Sequence, residues 1–100
     1  MDLEEVKGNL KNFINSEGKL TAIPAKHKLQ VMAIRFLAEK FVKGKDYTEK
    51  EVGEIINANT VFEDPASIRR GLVDYKFMTR DDYCKNYRLL DKEPDMDKMY

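Results

Sequence analysis

The sequence predicts an α+β domain that is mainly helical and ends in a short β-hairpin. Three observations lead there. Two helix starts are spelled out, with Thr48 three residues before Glu51 and Asp64 immediately before Pro65. An apolar stripe at helical spacing runs from Ala25 to Phe41. After Tyr75 come two short β-prone segments separated by the polar run DDYCKN. One hundred residues, 42% of them hydrophobic, suffice for one core of ordinary domain size. A single domain over residues 1–90 and a flexible C-terminal tail over 91–100 are therefore expected.

The chain opens with DLEEVKGNLKNFI, where Leu3, Val6, Leu10, Phe13 and Ile14 fall at helical spacing. Asp2, Glu4 and Glu5 complement the positive end of a helix dipole. A first amphipathic helix is expected, ended by NSEG. KLTAI, β-branched at Thr21 and Ile23 and running into Pro24, has the pattern of an edge strand or extended segment. From Ala25 onward, Leu29, Met32, Ala33, Phe36, Leu37 and Phe41 share one helix face, and Lys28, Arg35, Glu39 and Lys43 lie on the other. This is the longest expected helix and the centre of the core.

VKGKDY reads as a turn. Thr48 and Glu51 then form a capping box, in which each side chain satisfies a backbone amide of the other residue. Val52, Ile55 and Ile56 face inward from that helix. Asp64 as N-cap and Pro65 at the first helical position start the next one, because proline lacks only an amide that has no partner there. Ile68, Leu72 and Tyr75 make its inner face, and Gly71 beside them permits close approach. At about 100° per residue, Arg70 points away from that face and Arg69 lies on its flank. Phe77–Arg80 and Tyr87–Leu90 read as a hairpin. DKEPDMDKMY contains Pro94 and few apolar residues, as a frayed tail does. Three helices followed by a hairpin is the winged-helix order, here with an extra N-terminal helix and the hairpin as the wing.

The net charge is zero, which argues against an indiscriminate polyanion binder, yet it is distributed in blocks: −2 over 1–18, +6 over 19–45, −5 over 46–65, +3 over 66–90 and −2 over 91–100. Whether the basic segments 19–45 and 66–90 share a face depends on the fold. A lone cysteine, Cys84, and a lone histidine, His27, leave too few soft ligands for a structural zinc site. No metal or cofactor is expected. The acidic start MDLEEVKGNL lacks the basic and apolar pattern of a secretory signal, and no apolar run approaches the ~20 residues of a membrane span, so a cytoplasmic location is expected.

IPAKHK before a long helix, then DYTEKEV, EDPASIRRGLVDYKFMTR and YRL, together resemble the family catalogued as domain of unknown function 2087. The resemblance covers roughly residues 13–90. It departs from the family pattern at Gly53, where members carry Asn, and around Asn86, Tyr87 and Arg88, where members carry Trp. It implies a winged-helix-like fold and a regulatory role, and brings no catalytic residue or ligand.

Two sites follow from the residues. In a helix-turn-helix the second helix of the pair enters the major groove, here the helix over 64–75. Arg69 and Arg70 would set planar guanidinium forks on guanine edges or phosphates, with Lys76 and Arg80 at the groove edge and Lys85 and Arg88 of the hairpin on the backbone. Asp64 and Asp74 oppose this. The bland account leaves Arg69 and Arg70 solvated or bridged to the preceding acidic helix through Glu51 or Glu54. The second site is Lys26, His27 and Lys28 at the start of the long helix, where free amides attract an anion. The alternative pairs these lysines with acids of the first helix or of block 46–65. Tyr75, Tyr83 and Tyr87 are weaker candidates to present aromatic faces to a base or a peptide and read first as half-buried core; Cys84, a weaker candidate to sense oxidants, reads first as a free surface thiol.

Three functional classes remain. The first is a nucleic-acid-binding regulator, DNA being the expected partner. The second is a protein-interaction or homodimerisation module on the same scaffold, which suits zero net charge better. An enzyme ranks last: the chain has no activated nucleophile, metal set or glycine-rich phosphate loop. Co-localisation of Lys26, Lys28, Arg69, Arg70 and Arg80 favours the first class over the second.

Overall fold

The computed structural model describes residues 3–81 and 86–90. Its elements run α1 (Leu3–Asn9), a 3₁₀ turn (Lys11–Phe13), α2 (His27–Ala38), β1 (Tyr47–Thr48), α3 (Glu49–Ala58), α4 (Pro65–Asp74), β2 (Met78–Arg80) and β3 (Asn86–Leu89). The fold is α+β and mainly helical, with one small antiparallel sheet in the order β1-β3-β2. The expected tail over 91–100 and the hairpin tip over 82–85, with Tyr83, Cys84 and Lys85, lie outside the described residues.

The two helix starts legible in the sequence form as expected. Thr48 Oγ1 accepts from the Glu51 amide at 3.1 Å, and the Thr48 amide donates to Glu51 Oε1 at 2.9 Å. The Asp64 carboxylate accepts from the Ser67 amide at 3.3 Å, with Pro65 next in line. These bonds satisfy amides that the first turn leaves without an intrahelical partner. The first helix is shorter than expected and breaks into the 3₁₀ turn at Lys11, though Val6 and Leu10 still point into the core.

Helix α2 is the axis of the molecule. Val31 through Ala38 are all buried, so the helix is enclosed on every side and not half solvated. Arg35 corrects the sequence expectation most sharply: expected on the wet face, it is only 6% exposed and pairs with Glu39 one turn on. Arg35 shares a cavity with Phe77, Leu89 and Leu90, so the sheet end of the chain lies over the face expected to be wet. Gly71 lets α4 sit close to α2, since a Cβ there would come within 2.8 Å of Ile34 Cδ1.

KLTAI, expected as an edge strand or an extended segment, makes no regular strand; Leu20 forms two single bridges, to Ile14 and to Thr60, clasping the N-terminal segment to the end of α3. Conversely, the end of the expected VKGKDY turn supplies a third strand. Tyr47 pairs with Tyr87, and both rings are buried. The Tyr47 hydroxyl accepts from the Val42 amide at 2.8 Å, and its ring meets Phe41 edge-on. Burial of both tyrosines with these partners is what holds so short a strand in place.

Candidate functional site

The C-terminal end of α4 turns directly into β2, which fixes the geometry between them. Lys76 and Phe77 close the helix in a Schellman motif: the Lys76 amide donates to Val73 O at 3.1 Å and the Phe77 amide to Leu72 O at 3.0 Å. Lys76 takes the left-handed position with φ 67°, a place glycine fills at lower cost. Lys76, expected at a groove edge, is exposed, and its backbone makes the turn between α4 and β2.

Between α4 and the sheet lies a groove of about 280 Å³ lined by Glu49, Ala66, Arg69, Arg70, Val73, Arg80 and Tyr87. Three of the expected nucleic-acid residues, from two separate elements, therefore meet in one place. Their states differ. Arg69 is a quarter exposed, and its Nη2 lies 3.0 Å from Glu49 Oε1 at the start of α3. The pairing corrects the sequence reading in its partner: Glu51 is spent on the capping box and Glu54 faces Lys50. Arg70 and Arg80 are exposed and make no ion pair among the described residues.

The remaining expected contacts are dispersed. Arg88 Nε binds Asp46 Oδ1 at 2.8 Å across β3 and the residue before β1, and the two share a small cavity with Arg80 and Asn86. Lys26, His27 and Lys28 are exposed at the start of α2, where Lys26 is the N-cap and offers no side-chain cap. The His27 ring meets Tyr75 at 5.7 Å, edge to face. The α2 start thus abuts the end of α4, but none of the three residues lines the arginine groove. Of the two opposing acids, Asp64 is engaged as the N-cap of α4, and Asp74 lines a neighbouring cleft with Arg70, Gln30, Ile34 and Tyr75.

Glu49 and Tyr87 line the groove although the sequence placed neither beside the arginines, Glu49 being unremarked and Tyr87 read first as half-buried core. No local signal marks either one, because Glu49 lies twenty positions before Arg69 and Tyr87 sits in another element. Among titrating groups, Glu51 is held below the ordinary carboxylate range, first by the Thr48 backbone amide and then by the Thr48 hydroxyl. This is a capping effect with no bearing on the groove. Among the described residues, no cluster of His, Cys, Asp and Glu is arranged to hold a metal ion, and no helix is long and apolar enough to cross a membrane.

The model of one protein family, "Uncharacterized protein conserved in bacteria (DUF2087)", matches residues 19–89. The chain belongs to that family. No curated protein and no solved structure matches it.

Proposed function

We propose that this member of the family is a DNA-binding regulatory module with α4 as its reading helix. The observation that carries this is the pair Arg70 and Arg80, unpaired in ion pairs among the described residues and brought from helix and sheet to one groove. Guanidinium groups form planar forks that match phosphate oxygens or a guanine edge, and they keep their charge at any physiological pH. Support also comes from the element order α2-β1-α3-α4-β2-β3, with β1 against β3. That is the order of a winged helix, in which the helix before the hairpin enters the major groove. Arg69 takes the role of a tie between α3 and α4, which keeps the reading helix at a fixed angle.

The test is a fluorescence-anisotropy titration of random duplex DNA at several salt concentrations, with the wild type beside Arg70→Ala/Arg80→Ala. Binding should weaken steeply with salt, and the double variant should lose affinity together with about two units of the log–log salt slope, one for each phosphate contact removed. Absence of salt-sensitive binding by the wild type at low ionic strength would end the DNA reading and turn attention to a protein partner or self-association.

A further inference from the structure

A second basic surface lies on another side of α2. Gln30 and Ile34 line the cleft beside Arg70, whereas Phe36 stands about 200° further round the helix. Phe36 forms part of an open cavity of about 380 Å³ with Lys7, Lys11, Ile14, Gly18 and Lys40. Lys7 comes from the last turn of α1, Lys11 begins the 3₁₀ turn, and Lys40 follows α2. The cavity therefore exists only because α1 packs on α2. Four of its six lining residues precede residue 19, where the family match begins.

Its chemistry is one-sided. No carboxylate lines it, and none of the three lysines makes an ion pair among the described residues. Lys40 Nζ sits 4.8 Å from the centre of the Phe36 ring. Three lysines line this one open cavity with no acid among its lining, so an anion bound there would meet only positive charge. The volume falls in the range of small-molecule sites, which combine an apolar lining with a few convergent polar groups. Half-buried Ile14 and the small exposed part of the nearly buried Phe36 give the cavity an apolar floor, and ammonium groups donate to a carboxylate from many directions where guanidinium demands a planar fit.

We propose that this cavity binds a small aromatic carboxylate, with its ring on Phe36 and Ile14 and its carboxylate between Lys40 and the Lys7–Lys11 pair. The site is independent of the arginine groove and stands or falls separately from DNA binding. The probe is 2-naphthoate, titrated into the full chain and followed by its own fluorescence, with neutral 2-naphthamide as the comparison ligand. Saturable naphthoate binding is expected, weakened about tenfold or more in Lys40→Gln and in Lys7→Gln/Lys11→Gln, as expected for loss of a charged hydrogen bond. Naphthamide should bind correspondingly weakly, and Arg70→Ala/Arg80→Ala should bind naphthoate as the wild type does. Amide shift mapping on the wild type, which needs no variant to fold, should place the largest changes around Ile14, Phe36 and Lys40. Failure to saturate at millimolar naphthoate, equal binding of the amide, indifference to the lysine variants, or shifts spread over the whole chain would each overturn the proposal.

Discussion

Between α4 and the sheet, three guanidinium groups share a groove with the carboxylate of Glu49; between α1 and α2, three ammonium groups share a cavity with no acid at all. The number of cations is the same, and the surroundings differ by one acid. Glu49 holds Arg69 to the framework and leaves Arg70 of α4 and Arg80 of β2 as the outward pair, the feature on which the proposed DNA reading rests. The lysines instead ring an apolar floor, which suits a compact ligand better than an extended polyanion. Basic residues in a sequence thus do not reveal their own partners, since folding decides which meet an acid and which stay open to solvent.

The comparison breaks most completely if the core beneath both surfaces is disturbed. Leu72 is fully buried on the inner face of α4, and Leu72→Ala should cost about 2–5 kcal/mol in urea unfolding. Because both surfaces stand on a single buried cluster that spans α1, α2 and α4, the loss should appear as one transition. Two separate transitions would mean that the surfaces rest on separate folding units.

A smaller effect is expected at the hinge of the arginine groove. Lys76→Gly relieves a side chain held at φ 67° and should raise stability by about 1 kcal/mol, read as an upward shift in midpoint. If its charge also touches phosphate, the salt slope of DNA binding falls by about one unit in the same variant. An unchanged slope would limit Lys76 to its role in the turn.

Glu49→Gln sharpens the comparison by making the arginine groove as free of acid as the lysine cavity. The pair is partly exposed, so stability should change by less than about 1 kcal/mol. DNA affinity should rise as Arg69 is released, with a steeper salt slope. A fall in affinity would show that the tie to α3, and not the count of free arginines, governs binding.

The smallest effect concerns pH. Thr48 lowers the pKa of Glu51 in the folded state, so the stability contributed by the ionised carboxylate is fully present above the unfolded value of about 4.3. That contribution is lost as the pH falls through the lowered folded value. Amide exchange in the first turn of α3 should follow this course in the wild type and lose it in Glu51→Gln. DNA and naphthoate binding should be indifferent to Glu51→Gln at neutral pH, since neither surface contains that residue.

How far the fold was legible in the sequence depended on the reach of each interaction. Thr48 with Glu51, Asp64 with Ser67, and the inner face of Ile68 and Leu72 are separated by three or four positions. Helix geometry alone brings such residues together. Arg35 shows where this fails: the same periodicity placed it on a wet face, but Phe77, Leu89 and Leu90, more than forty positions away in sequence, lie beside it. The β1 strand was illegible for a related reason. Tyr47 and Thr48 are too few to signal a strand, and their partner Tyr87 lies forty positions away.

By itself, then, the sequence determined the mainly helical α+β class, the two capped helix starts, and Arg70 pointing away from the inner face of α4. Backbone geometry dictates these within a few residues, whereas the meeting of Gly71 with Ile34 was supplied by packing. Only the tertiary structure decided that Arg69 is tied to Glu49, that Arg80 joins Arg70, and that Lys7, Lys11 and Lys40 converge on Phe36. Those meetings depend on how α1, α3 and the sheet dock around α2. Docking is set by the burial of apolar surface, which is non-directional and so leaves no local mark on the charged residues it brings together.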